Sequence, residues 1–214
     1  MNKKLTLLLL FFATLGFAQY GNRDGNRIGI SAGISQTTLF TNNFKASPGM
    51  GFAGGLSVRG NYYNNWSMIY GMQFFSNNFS LESSFNQDIK YNIQGVQVRI
   101  LFSYNVVEDH VSLDFGPVLQ VNSKLKFNDS DENNFIVGNE LLRVQDIEDI
   151  NPINFNVYAG ISGGFENIRL SLSYQYGVTN ILNNLNKQEE VTALADGKLK
   201  GNLGVIAGNI IFYF

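Results

Sequence analysis

The sequence predicts an all-β fold, an eight-stranded antiparallel up-and-down transmembrane β-barrel, on three observations. About eight stretches alternate apolar and polar residues with a period of two, each about 9 to 11 residues or longer, which lets a tilted strand cross a bilayer. Their connections run long, short, long, short, as they must when antiparallel neighbours turn tightly on one side of a membrane and loop on the other. A signal-like N-terminus precedes them, and an aromatic residue, Phe214, ends the chain.

The composition agrees. Of 214 residues, 14% are aromatic, 22 are Gly and only 3 are Pro, which suits strands and turns more than helices. Residues 1–18 read as a cleavable signal: Lys3 and Lys4, then the apolar run Leu5 to Phe12, then Gly16-Phe17-Ala18, leaving Gln19 to begin a barrel domain over 19–214. The run falls short of the about 20 residues a spanning helix needs; the competing reading is an uncleaved N-terminal helix. There is no Cys, hence no disulfide and no lipidated N-terminal Cys. Residues 19–214 hold 13 Lys and Arg against 17 Asp and Glu without a basic stripe, which argues against nucleic acid as a partner.

The strands follow in order. Over Arg27 to Thr37, Ile28, Ile30, Ala32 and Ile34 alternate with Gly29, Ser31, Gly33 and Ser35. Over Gly51 to Tyr62, Phe52, Leu56 and Val58 oppose Ala53, Gly55, Ser57 and Arg59. Over Trp66 to Ser76, Trp66, Met68, Tyr70, Met72 and Phe74 oppose Ser67, Gly71 and Gln73. Val96, Val98, Ile100, Phe102 and Tyr104 then oppose Gln97, Arg99 and Ser103. Upstream, Ile89, Tyr91 and Ile93 sit on the other parity, which predicts a bulge near Gly95. Val111, Leu113, Phe115, Leu119 and Val121 alternate with Ser112, Asp114, Gly116 and Gln120. Ile153, Phe155, Val157, Ala159, Ile161 and Phe165 alternate with Asn154, Asn156, Gly160, Ser162 and Gly164. Ile168, Leu170, Leu172, Tyr174, Tyr176 and Val178 alternate with Arg169, Ser171, Ser173, Gln175 and Gly177. The last strand, Asn202 to Phe214, is apolar on both parities; the favoured register turns Ile206, Ile210, Phe212 and Phe214 to lipid and Asn209 inward.

An even count returns both termini to one side, the periplasm of a bacterial outer membrane. Asn61–Asn65, Asn105–His110 and Glu166–Asn167 are then periplasmic turns, and Thr38–Met50, Asn77–Asp88, Lys124–Pro152 and Asn180–Gly201 external loops. Trp66, Tyr62, Tyr63 and Tyr104 fall near the periplasmic interface, where amphipathic rings are favoured. The competing fold is a soluble barrel with apolar residues inward. Against it stand a second parity dominated by Gly, Ser, Asn, Gln and Arg, and a first rich in Met, Phe and Tyr, as in a lipid-facing belt.

From Tyr91 to Asn183 the chain resembles the PorT-like outer-membrane β-barrel family. Tyr91 to Tyr104 resembles a family strand with an aromatic start and an apolar run ending in Tyr, with Gly95-Val96 where the family has an "IP" step. Phe115-Gly116-Pro117 resembles its Gly-Pro strand and Phe155 to Phe165 its Gly-rich strand. Ser173-Tyr174-Gln175-Tyr176-Gly177-Val178-Thr179-Asn180-Ile181 is similar to its RYQYGLTNI segment, with Ser173 replacing Arg. The resemblance implies the barrel fold and says little about activity, because one branch assists a secretion route and many members have no assigned task.

Candidate chemistry is sparse. Arg27, Arg59, Arg99 and Arg169 share the inward parity with Asp114; they read as a packed polar plug with Gln73, Gln97, Gln120 and Gln175, the alternative being a narrow anion-selective path. Asp129-Ser130-Asp131-Glu132-Asn133-Asn134, with Glu140 beyond, nearly fits a calcium loop but has Asn134 where Gly belongs; a solvated loop is preferred. The sole His, His110, stands in a turn beside Glu108 and Asp109 with no Ser partner evident. Gly49–Gly55 lacks the setting of a phosphate loop. No catalytic, cofactor or metal residue is assigned. In the Lys124–Pro152 loop, Phe135-Ile136-Val137 and Leu141-Leu142 are expected to pack on the barrel mouth or on a partner.

The function expected is non-enzymatic, a structural, interaction or secretion-accessory role through external loops. Passive transport of a small solute comes second and a lipid-modifying barrel enzyme third. The implied partners are membrane lipid, the machinery that assembles outer-membrane barrels, and a protein met at the loops.

Overall fold

The computed structural model describes residues 26–84, 87–108, 110–195 and 197–214. The expected signal segment lies outside the described residues. Eight antiparallel strands close a hydrogen-bonded ring: β1 (Arg27–Phe40), β2 (Ala46–Tyr63), β3 (Trp66–Glu82), β4 (Asp88–Val107), β5 (Val111–Asn122), β8 (Ile153–Gly164), β9 (Ile168–Gly177) and β10 (Asn202–Tyr213). Each pairs with its neighbour in sequence, and β1 pairs with β10 from Gly29–Tyr213 to Phe40–Asn202. The hairpin β6 (Phe135–Ile136) and β7 (Asn139–Arg143) and the short helix α1 (Glu189–Leu194) lie in the long connections.

The two ends of the barrel differ. At the short-turn end, Tyr63 pairs with Trp66 across Asn64 and Asn65. Asn64 takes φ 47°, a left-handed conformation that Asn tolerates. Trp66 packs against Tyr104 at 5.0 Å and Phe115 at 6.1 Å, and Tyr62 and Tyr63 are exposed beside them, forming the expected girdle. At the other end, β2, β3 and β4 run 18, 17 and 20 residues. The connections expected at Thr38–Met50 and Asn77–Asp88 therefore shrink to 41–45 and 83–87.

About nine residues per strand carry the apolar outer face, for example Trp66 to Phe74, Tyr104 to Val96 and Leu113 to Val121. At roughly 3.3 Å per residue and a tilt of about 40°, they span roughly 23 Å, close to the apolar band of an outer-membrane barrel. Beyond Phe74 and Val96 the outward positions become Ser76, Asn78 and Ser80 on β3 and Gln94, Asn92 and Lys90 on β4. The inward positions change together with them, from Gln73 and Gln97 to Phe75, Phe79, Leu81, Ile93, Tyr91 and Ile89, with Asn77, bonded to Ser35, the polar exception. The strands thus turn inside out at one level, which marks where lipid gives way to water.

This corrects the bulge expected near Gly95. The β3–β4 register runs unbroken from Trp66–Tyr104 to Glu82–Asp88. Ile89, Tyr91 and Ile93 share the inward parity with Gln97 and Arg99; only the solvent outside has changed. The register shifts of the barrel lie elsewhere, in β2 between Pro48 and Phe52 and between Asn61 and Tyr63, and in β4 between Asn105 and Val107. Gly95 serves differently: a Cβ there would collide with the Val121 carbonyl and the Phe75 ring, so its bare backbone makes room for that ring.

The last strand keeps the favoured register. Val205, Ala207, Ile211 and Tyr213 are buried, Ile206, Ile210 and Phe212 are exposed, and Asn209 points inward with Nδ2 3.5 Å from Ser171 Oγ. Phe214 lies just beyond the strand, half-buried, its N–H bonded to the Ile28 carbonyl at 2.8 Å.

Candidate functional site

Two regions hold the candidate residues: the lumen within the lipid-facing band, and the cap at the long-loop end.

In the lumen, Asp114 on β5 is the acceptor at the centre of a serine ring. Ser103 and Ser112 donate to its Oδ1 and Ser162 to its Oδ2, the last two at 3.2 and 2.8 Å. The arginines stand behind the serines. Arg59 Nη2 donates to Ser103 Oγ at 2.7 Å and Asn105 Oδ1 at 3.0 Å, and Arg169 Nη2 donates to Ser112 Oγ at 3.1 Å. The expected plug is met in part: hydroxyls relay between guanidinium and carboxylate where direct bonds were expected, and the glutamines, expected to bond the arginines, bond other amides in a separate tier. Each hydroxyl accepts from one side and donates to the other. Arg27 sits apart at the short-turn end, 4.0 Å from Glu166. Arg99 folds across Gly71 beside an enclosed void of about 10 Å³ that Asp114 and Tyr158 also line, room for a single water.

An apolar layer follows, formed by Ile69, Leu101, Val118 and Tyr158. Tyr158 escaped the sequence reading because it is an aromatic residue on the otherwise polar parity of Asn156 and Gly160. Above lies a tier of amides. Gln73 donates to Gln97 (2.8 Å), Gln97 to Gln120 (2.7 Å), Asn156 to Gln120 (2.8 Å), and Gln175 on β9 reaches Gln97 on β4 across the lumen at 3.5 Å. Amides carry both donors and acceptors, so they can chain to one another; the buried Oε1 atoms of Gln73 and Gln175, at the ends of the chain, have no hydrogen-bond partner among the described residues.

The cap is a hydrophobic core in its own right. Phe75, Phe79, Leu81, Ile89, Tyr91 and Ile93 from the extended strands meet Leu125, Ile136, Leu142, Val144 and Ile147 from the longest connection, and Ile181, Leu182, Leu185, Val191 and Leu199 from the last. Tyr91 is its centre, fully buried, stacked on Phe79 at 5.7 Å and met edge-on by Phe127 at 5.9 Å. Its hydroxyl donates to the Val144 carbonyl at 3.3 Å. Burial, then the charges of Asp131 and Asp146, push that phenol above the ordinary tyrosine range. The apolar triplet and pair of the long connection divide: Ile136 and Leu142 are buried, whereas Phe135 and Leu141 are exposed. Arg143 lies over the Phe135 ring, 5.7 Å from its centroid.

The remaining candidates are scattered. Asp129–Asp131 forms a 3-10 turn capped by Asn128, and among the described residues no group of three or more His, Cys, Asp or Glu gathers to hold a metal. His110 donates through Nδ1 to the Glu108 carbonyl at 2.8 Å and packs edge-on against Phe165. Among the described residues no hydroxyl is hydrogen-bonded to its ring; Asp109 and the Glu140 side chain lie outside the described residues. Gly49–Gly55 belongs to β2.

A closed antiparallel ring with an apolar outer band and a polar interior defines an integral outer-membrane β-barrel. Two solved structures share the architecture. Neisserial surface protein A has a TM-score of 0.51 at 12% identity, covering 89% of this chain and 99% of that one. The attachment invasion locus protein Ail of Yersinia pestis, solved with the heparin analogue sucrose octasulfate, has a TM-score of 0.50 at 16% identity, covering 88% and 99%. Residues 17–183 match the family described as outer membrane protein beta-barrel domain, and the chain belongs to it. Comparison with curated proteins found no match.

Proposed function

We propose that the protein is a non-enzymatic interaction barrel of the outer membrane, with a secretion-accessory role of the PorT-like kind, that presents its cap to a protein partner outside the cell. In this reading residues 1–18 are removed on export, both termini face the periplasm, and the long connections face outward. The observation that carries it is the cap: a packed core that keeps Phe135 and Leu141 exposed on a short hairpin, beside α1 with its exposed Leu194. Loops that served only to seal a pore would not need a core of their own. Apolar side chains held bare on a rigid support make a docking patch.

The test compares secreted and surface proteomes of the parent strain, a deletion strain, and the deletion strain complemented with wild type or Leu141→Glu. Selective loss of a cargo set, restored by wild type and not by Leu141→Glu, is the expected result. Unchanged proteomes would overturn the secretion role. The amide tier and serine ring speak against the second reading, passive transport; steady anion conductance in a planar bilayer would reinstate it.

A further inference from the structure

At the rim of the barrel, where lipid face meets cap, lies an open cleft of about 820 Å³. Its floor is aromatic. Phe40, at the outer end of β1, lies across β10 over Gly204, where any Cβ would strike the ring, and reaches Tyr176 of β9 at 6.2 Å. Both rings share the outward parity of the lipid-facing residues and stand at its upper edge, the level where membrane proteins place amphipathic rings among headgroups.

The upper wall is the extended tripeptide Lys198-Leu199-Lys200, and it is fixed. The Leu199 side chain is fully buried in the cap core. Asn186 grips the Leu199 backbone at both N–H and carbonyl, each at 2.8 Å. Thr41 Oγ1 donates to the Lys200 carbonyl at 2.6 Å, and the Lys200 N–H donates to Asn43 Oδ1 at 2.9 Å. Alternation then turns both lysines outward; each is exposed and lines the cleft. Neither ammonium has an ion-pair partner among the described residues, whereas Lys45 and Lys124 pair with Glu82 and Glu148.

We propose that this cleft holds the phosphorylated headgroup of an outer-leaflet glycolipid, with the apolar face of a sugar on Phe40 and Tyr176 and a phosphate met by Lys198 and Lys200. Charge complementarity selects a phosphorylated lipid over a neutral one, and the height of the aromatic floor selects a membrane-embedded ligand over a soluble one. The proposal rests on the orientation given above.

Two measurements separate that orientation from the site. Because the chain has no Cys, Lys200→Cys gives a single thiol for a membrane-impermeant maleimide. Labelling on intact cells is expected, and labelling only after permeabilisation would overturn the orientation and the proposal with it. Binding is then measured by native mass spectrometry of wild type and the Lys198→Gln/Lys200→Gln variant in micelles doped with lipid A or its dephosphorylated form. Heat-dependent gel mobility verifies that both are folded. Wild type should favour phosphorylated lipid A over the variant by about thirty-fold, from about 1 kcal/mol per lysine near an anionic surface, and Phe40→Ala should weaken both lipids. Equal binding by wild type and variant, or no preference for the phosphorylated form, would overturn the site while leaving the orientation standing.

Discussion

Below Gly95 the β3–β4 hairpin buries Gln73, Gln97 and Arg99 and shows Phe74, Val96 and Val98; above it the same two strands bury Phe79, Tyr91 and Ile93 and show Ser80, Asn92 and Lys90. Register and period are continuous across the change. What differs is the medium outside. A strand in lipid satisfies the solvent with apolar side chains and keeps polar ones for the interior, and a strand in water does the reverse. One hairpin therefore contains two folding problems, and the polarity of a given parity is evidence of position relative to the membrane.

The comparison can be broken from either side. The largest effects belong to the interiors. Tyr91→Ala should destabilise the cap by about 3–5 kcal/mol, as for other large core truncations, seen as protease cleavage in the long connections while the barrel keeps its heat-dependent gel mobility. Collapse of the barrel as well would mean that cap and barrel are one cooperative unit. Asp114→Ala should cost a similar amount, about 3–5 kcal/mol, by leaving Arg59, Arg169 and their serines without a buried counter-charge; here urea titration in vesicles should show the barrel weakened and the cap unaffected.

A sharper contrast uses one face of one strand. Met72→Arg places a charge in lipid and should cost about 2–4 kcal/mol. Ser80→Arg, on the same parity of β3 above the boundary, should fall within about 0.5 kcal/mol of wild type. Equal costs would show that the boundary is misplaced. The smallest effect is alkaline. Because the Tyr91 phenol titrates higher in the folded cap than in the unfolded chain, the folded state holds its proton longer. The resulting stability is fully present below about pH 10 and is lost as pH rises above it. Protease resistance of the cap should fall in that range, and Tyr91→Phe should remove the dependence.

Much of the barrel was legible in the sequence, because a period-two pattern registers each strand against lipid without knowledge of its neighbours. The inward placing of Arg59, Arg99, Arg169 and Asp114 follows from that parity alone. The cap was not legible, and the reason lies in Ile89, Tyr91 and Ile93. Apolar residues on the lumen parity break the pattern expected of lipid, and with the membrane boundary unknown a bulge was the simpler explanation. The serine relay was hidden for another cause: Ser103, Ser112 and Ser162 come from three strands, and only the closed ring brings them to Asp114. The lysine pair at the rim gave only a weak signal, Lys-Leu-Lys in a polar loop, until burial of Leu199 fixed which way it faces.

The seam between β1 and β10 sets an order of events during biogenesis. It joins the first strand to the last, and the chain between them includes every connection that builds the cap, with Leu39 and Leu203 of the seam itself closing its core. Once it is zipped, the serine ring, the apolar layer and the amide tier fill the lumen, and a cap with a polar exterior can pass neither through that interior nor through lipid. With the orientation proposed above, translocation of the cap has to precede closure, so the assembling barrel must be held open at this seam. Exposed strand edges are costly in lipid, so in this reading the interval before the seam closes is the one in which the chain most needs its edges shielded.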